Sequence, residues 1–484
     1  MLKKLSKDVA VYGIGDLSLR LLGFFVFPIY AHVFSVAEFG VLALITTTTG
    51  IIALVASPGL TMALTRYYWD PEVPHGMRPM AVTTGLVTLL LWSTTVVALA
   101  IAALFPAGDV IAARYGATWS MVLLGLLAIV PEQTLAYCVN VLRLKSLPWK
   151  FTFVSFLKNI LGIAVGLVLV LKFHEGLLGL FVGAVAGALL GVPIAVFLIR
   201  QELVLTFHLP TARRFVSFGY PFIFAGLAYW IYGSADRWML ATLSTTTELG
   251  LYAIAYKFAG IVLFVNGAFG QAWSPFALKL RSDDAGYRVS YARLLSIWFF
   301  FLAMCGSAII LFGNEALRLL TPKEYWTAAP VLAPLVMGVV LSGTTQITAI
   351  GISLENRTRL FATAAWTTAL VNILLNFVLI PRWGALGAGI ATFLSYALLT
   401  CLYLFWSQRL HPIPLEKSKL AYSITLVVGA TAAGIWPLSG EAWSVSGIIA
   451  KFAVLALVAA GGVLFGIVDL AAVKDFGRWK RAES

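Results

Sequence analysis

Charge is what this sequence has least of. Asp, Glu, Lys and Arg make up 11% of its 484 residues, against about 25% in an ordinary soluble chain. So few charges could not keep the outside of so large a globule in water, so most of the chain must face lipid. Cysteine is scarce as well. Cys138, Cys305 and Cys401 all fall in apolar stretches and offer neither a disulfide framework nor metal-ligand spacing. The five histidines do not cluster. A Walker A loop, an HExxH motif, a nucleophile elbow and a Cys/His zinc pattern are all missing, which argues against nucleotide hydrolysis and metal-dependent catalysis. No cofactor and no metal is expected. Long polar connections are missing too: the longest break between apolar runs covers about residues 273–290. A membrane-embedded transferase, polymerase or ligase usually needs a sizeable domain outside the bilayer, and the longest gap on the side read as outside, about 313–326, is too short for one.

What is present in excess is apolar sequence, 60% of the chain. At about 20 residues per crossing this supplies on the order of fourteen membrane helices. Fourteen apolar runs can be traced, the first near 8–32 and the last near 447–469. They are twice the length of a barrel strand and do not alternate, so helices are expected throughout. The first run holds Asp16 and Arg20 and ends without a small-residue cleavage site, so it reads as a helix rather than a signal peptide. Placing Lys3, Lys4 and Lys7 on the cytoplasmic side puts 24 of the 34 Lys and Arg in inside segments and 6 in outside ones. That bias sets the orientation, with both termini cytoplasmic. The net charge of +13 is therefore mostly topology, and nucleic acid is not an expected partner.

The chain also repeats itself. EFGVLA at 38–43 returns as ELGLYA at 248–253, Gln133 and Asn159 return as Gln346 and Asn372, and GLLGLF at 176–181 resembles GALGAG at 384–389. The offsets, 210, 213 and 208, are nearly constant and keep their order. Six helices per copy is an even number, so the copies insert the same way up, as two bundles with a cleft between them. The expected fold is an all-α polytopic membrane protein of about fourteen transmembrane helices. It comprises a six-helix lobe over 1–200, a second over 201–410, and two further helices with a basic tail over 411–484.

Four bases lie within the helices: Arg20, Lys158, Arg237 and Lys257. A Lys or Arg at mid-bilayer costs roughly 2.5–3.5 kcal/mol on insertion scales, so each must face a cavity or a partner. Arg20, Lys158 and Lys257, with Arg237, suggest a cationic cavity suited to an anion such as a phosphate or diphosphate. Lys257 has no helical partner at spacing four and is the first choice for ligand contact. Asp16, Glu132 and Asp236 are candidates for ion coupling. The same charges also read as structural pairs: Asp16 with Arg20, Glu132 with Lys158, Asp236 with Arg237. Gln133, Asn140, Asn159, Tyr252, Tyr256, Asn372 and Asn376 would line the polar interior, although tyrosines in membrane helices commonly serve packing. Prolines 28, 131, 193, 221, 275, 330 and 334 mark kinks or hinges, with simple helix ends an equal reading of Pro28 and Pro275.

The N-terminal stretch KDVAVYGIGDLSLRLLGFFVFPIYAHVFSVAEFGVLAL, the segment ADRWMLATLSTTTELGLYAIAYKFAG at 235–260 and NFVLIPRWGALGAGIATFLSY at 376–396 resemble Wzx-type O-antigen and exopolysaccharide flippases. These belong to the multidrug/oligosaccharidyl-lipid/polysaccharide (MOP) superfamily. The resemblance extends over essentially the whole chain and implies an inner-membrane protein of bacteria. Such a protein carries an undecaprenyl-diphosphate-linked oligosaccharide from the inner to the outer leaflet, by rocking two lobes about a central cationic cavity. The implied partners are the polyprenyl-diphosphate-linked glycan, membrane lipid and other membrane proteins of polysaccharide assembly. Asp236–Arg237 matches the family's Asp-Arg pair. The cavity bases vary within the family, so Arg20, Lys158 and Lys257 rest on the reading of the residues alone. Two related functions stay open: a cation-coupled drug antiporter, which would favour acids in the cavity, and a peptidoglycan-precursor flippase.

Overall fold

The computed structural model describes residues 15, 18, 22–70, 74–284, 286–435 and 445–467, and every regular element among them is a helix. The chain divides into two compact units, residues 1–250 and 251–484.

The first unit opens with α1 (Leu22–Val33). It continues through α2 (Val36–Ala56), α3 (Leu60–Tyr68), α4 (Arg78–Leu104) and the short α5 (Gly108–Tyr115). Then come α6 (Trp119–Leu144), α7 (Pro148–Leu171), α8 (Gly176–Ile199), α9 (Leu209–Gly219) and α10 (Pro221–Leu243). The start of α2 is set locally. The Ser35 hydroxyl accepts from the Glu38 amide while the Glu38 carboxylate accepts from the Ser35 amide, a capping box. Proline at the first turn opens α7 and α10, where its missing N–H costs nothing. Aliphatic burial cannot hold helices together in lipid, so small residues let backbones approach instead. Gly183 and Gly187 of α8 lie against the Gly162 backbone of α7 in this way. Polar contacts add to this: Tyr137 donates to the Val82 carbonyl at 3.0 Å and Trp92 Nε1 to the Val55 carbonyl at 2.9 Å.

The second unit contains most of α11 (Thr246–Asp283), then α12 (Tyr287–Leu320), α13 (Ala329–Gly343), α14 (Thr345–Thr348) and α15 (Ile350–Leu354). It ends with α16 (Thr358–Leu410), α17 (Lys417–Ile435) and α18 (Val445–Leu464). An aromatic cluster holds α11 to α12, with Phe269 and Trp298 stacked at 3.8 Å and the Tyr291 hydroxyl donating to the Ala277 carbonyl. In both units large apolar side chains point outward. Leu99 is 66% exposed and Leu457 72%, the inverse of a water-soluble surface and the arrangement a bilayer requires.

Among the described residues eleven helical stretches are long and apolar enough to cross a membrane, against the fourteen runs of the sequence. Three runs account for the difference. Two runs, 359–380 and 385–406, are joined in the single 53-residue α16, broken only at Gly384. The first run lies largely outside the described residues, leaving the short α1. The run at 418–437 forms α17, which opens on Lys417 and Lys419 and is not among the eleven. The break read at 273–290 is mostly helix as well: α11 continues to Asp283, so Pro275 lies within it, and Pro28 lies inside α1. Neither proline ends its helix. Pro131, Pro193 and Pro334 are also internal, whereas Pro221 and Pro330 occupy first turns.

The repeated motifs adopt repeated geometry. Gly176, which opens α8, has φ 56°, and Gly384, which opens the second half of α16, has φ 52°. Both occupy the left-handed region that side chains avoid. The glycines of EFGVLA and ELGLYA also meet each other. A Cβ on Gly40 would run into the Thr246 carbonyl, and one on Gly250 into the Val36 carbonyl. Thr246 and Val36 are themselves 210 residues apart, so the contact is reciprocal.

Candidate functional site

In the first unit, α6 and α7 bring two of the candidate residues together. Lys158 Nζ donates to Glu132 Oε1 at 2.8 Å, with both side chains partly exposed. The pair sits one residue past Pro131, which removes a helical hydrogen bond from α6. Glu132 and Lys158 thus take the ion-pair arrangement that was one of their two readings. Gln133 turns away from the pair and donates to the Ala53 carbonyl of α2 at 3.2 Å. Asn159 donates to its own helix at Ser155. Asn140 is buried. Its amide donates to the Thr61 carbonyl and the Thr65 hydroxyl of α3, while its carbonyl accepts from Arg143 at 2.6 Å. Asn140 therefore fastens α6 to α3 in this conformation. On α10, Asp236 is buried and Arg237 is half-buried, reaching back to the Gly233 carbonyl at 3.3 Å. Beside them Trp238 donates to the Thr48 hydroxyl of α2 at 2.9 Å and stacks edgewise on Trp230. Asp16 and Arg20 lie outside the described residues.

In the second unit, Lys257 sits eleven residues after Thr246, inside the apolar part of α11, and is exposed. Gly260 and Gly267 follow it on the same helical face, and a Cβ on either would meet no atom within 4 Å. That face is open. Tyr256 is half-buried and stacks on Tyr252. Tyr252 itself is fully buried, its hydroxyl 3.2 Å from that of Thr392.

Asn372 and Asn376 are also fully buried, in the first half of α16. Asn376 Nδ2 donates to Asn372 Oδ1 at 3.0 Å, and Asn372 Nδ2 donates to the Ser395 hydroxyl at 3.0 Å. This chain ties the two halves of α16 together across the Gly384 break. Sequence reading points to the two asparagines but not to Ser395, which accepts from Asn372, nor to Thr392, the partner of Tyr252. Their spacing of three in a single apolar run was the available signal. It also missed the pair that Lys451 makes with Glu315, at 2.5 Å between two buried side chains.

The chain is similar in fold to the lipid II flippase MurJ in an inward closed conformation, with a TM-score of 0.73 and 14% identity, covering 94% of this chain and 99% of that one. It is also similar to an inward-facing multidrug resistance MATE family transporter of the MOP superfamily, with a TM-score of 0.64 and 13% identity, over 82% and 97% of the two chains. The fold is that of the MOP superfamily, a class of polytopic membrane transporters. A probable low-salt glycan biosynthesis flippase of Haloferax volcanii, Agl15, is 22% identical over 398 residues, 81% of each chain. The family described as polysaccharide biosynthesis protein matches residues 29–330. The chain belongs to that family, in agreement with the resemblance of its sequence to the polysaccharide flippases of the MOP superfamily.

Proposed function

We propose that this multi-pass membrane protein moves an undecaprenyl-diphosphate-linked oligosaccharide from the cytoplasmic to the outer leaflet of a bacterial inner membrane, by alternating access. The termini are cytoplasmic, and the lobes over 1–200 and 201–410 rock while the segment from 411 braces them or guides lipid. The diphosphate rests on Lys257, with Lys158, Arg237 and Arg20 as further bases. The glycan crosses the polar interior and the prenyl tail stays in lipid. Glu132, Asp236 and Asp16 are the groups through which an ion gradient would act.

The observation that carries this reading is the environment of Lys257. A lysine in a membrane helix is costly to place. Here it is exposed in the apolar part of α11, near Gly260 and Gly267, where a Cβ would meet no atom within 4 Å, which leaves room for a bulky anion beside the helix. The Glu132–Lys158 pair fits the same scheme if the diphosphate competes with the carboxylate for the ammonium.

The test is to delete the gene, find on which leaflet lipid-linked glycan accumulates, and complement with wild type and Lys257→Ala. Cytoplasmic accumulation rescued by wild type alone is expected, with Lys257→Ala present in the membrane at wild-type level. Unchanged lipid-linked glycan together with altered resistance to cationic drugs would move the protein to the antiporter branch.

A further inference from the structure

The positive-inside pattern leaves only six bases on the outer side, and two of them share a pocket. The end of α12 carries Asn314 and Arg318. Lys323 and Trp326 stand on the short helical turn that leads into α13. Together they line a cavity of about 480 Å³ whose remaining lining is largely apolar, including Ile310 and Ala333. That volume lies in the range of small-ligand sites, about 300–1,000 Å³.

Arg318 is held in place before any ligand arrives. Its Nε donates to Asn314 Oδ1 at 3.3 Å, and its guanidinium lies over the Trp326 ring at 4.7 Å. Trp326 is fixed in turn by donating to the Thr321 carbonyl. The two terminal nitrogens of Arg318 are left for another acceptor, and a planar guanidinium presenting two donors matches the oxygens of a phosphate. The nearest carboxylate along the helix does not neutralise it, because Glu315 is engaged by Lys451. Glu324 is exposed, and among the described residues neither Arg318 nor Lys323 forms an ion pair. Two cations therefore face one pocket at the end of α12, with Ile310, Leu332 and Ala333 in its apolar lining.

We propose that this pocket binds the phosphate of an anionic phospholipid of the outer leaflet. Arg318 takes the phosphate through two donors and Lys323 supplies the second charge. The glycerol and first methylenes run along Ile310 and Ala333. The site is separate from the transport site and does not depend on what the protein transports. Basic pockets between membrane helices hold lipid head groups on the cytoplasmic side, and the same chemistry, two cations beside an apolar lining, matches a phospholipid here rather than a free anion.

The test uses the purified full chain and three probes: phosphatidylglycerol, phosphatidylcholine and inorganic phosphate. Binding is read by native mass spectrometry and by the shift in thermal unfolding. Phosphatidylglycerol should bind in preference to phosphatidylcholine. Arg318→Gln and Lys323→Gln should each weaken it by about tenfold or more, the scale of a charge-assisted hydrogen bond. Lys323 is exposed, so Lys323→Gln keeps the test readable should Arg318→Gln fail to fold. Equal binding of the two lipids, or phosphatidylglycerol binding unchanged in a folded Lys323→Gln protein, overturns the proposal. Inorganic phosphate binding as tightly as the lipid overturns the lipid assignment.

Discussion

Removing the ammonium of Lys451 should loosen the last helix from the second unit. Lys451 of α18 is 2% exposed and Glu315 of α12 is 8% exposed, and they meet at 2.5 Å. The second oxygen of Glu315 is buried without a hydrogen-bond partner, so the carboxylate depends on this one ammonium. Little else on α18 is buried: Lys451 and Gly462 are its only buried residues. Gly462 rests against the Phe300 ring, about 16 Å along the helix from Lys451. Tyr422 of α17 also donates to the Val458 carbonyl at 3.0 Å and Phe452 packs on Phe312 at 4.8 Å, so the Lys451 contact is the ionic one among several fastenings. Lys451→Met keeps the length and apolar stem of the side chain but strands a buried charge, which typically costs about 3–5 kcal/mol. In a unit of this size that corresponds to a drop on the order of 10 °C in the unfolding midpoint. Pairing the change with Glu315→Gln removes the stranded charge, and the double variant should recover more than half of the loss. Thermal unfolding of the purified protein in lipid nanodiscs measures both. A Lys451→Met protein as stable as wild type, or a double variant as unstable as the single one, would refute the assignment of the pair as the clamp on α18.

The reciprocal glycine contact makes a second prediction. Gly40→Ala and Gly250→Ala should each cost about 1–3 kcal/mol, because each new methyl meets a backbone carbonyl that cannot move aside like a flexible side chain. The double variant should cost less than the sum, since helices parted by one methyl accommodate the other, and additive losses in thermal unfolding would count against the contact. A third prediction concerns pH. Burial, then the Arg288 and Arg281 guanidiniums, hold His411 below its usual 6.5 despite the opposing pull of Glu355. The unfolded chain therefore takes up the proton first, so this contribution to stability is present above pH 6.5 and is lost as pH falls below it. The unfolding midpoint of wild type should fall between pH 7 and the acid side of that window. His411→Gln should flatten the dependence, and a variant with the wild-type pH profile would remove His411 as its source.

How far the sequence could be read depended on whether a property is local. Helix type and membrane placement follow from composition summed over twenty residues, and they hold across α2 to α18 because the bilayer allows a backbone few other solutions. The repeat was legible for a related reason. Gly40 and Gly250 lie against backbone carbonyls, and Gly176 and Gly384 hold a positive φ that a side chain would strain, so each pair of matching positions carries the same letter. Helix boundaries were less legible. α11 runs on to Asp283 past the apolar run, because Lys279 and Arg281 can leave the membrane on the same helix, and hydropathy reports the solvent rather than the hydrogen bonding. The partners of polar residues were least legible. Asn140 and Asn372 look alike in the sequence, yet one pins α6 to α3 and the other bridges the two halves of α16. Glu315 and Lys451, 136 residues apart, carry no spacing signal at all. A charge near a helix end reads as solvated until a second helix covers it, and only the three-dimensional arrangement identifies that helix. The same limit separates Lys158 from Lys257. Both are single lysines in apolar helices, and nothing in their spacing foretells that Lys158 meets Glu132 at 2.8 Å or that Lys257 is exposed.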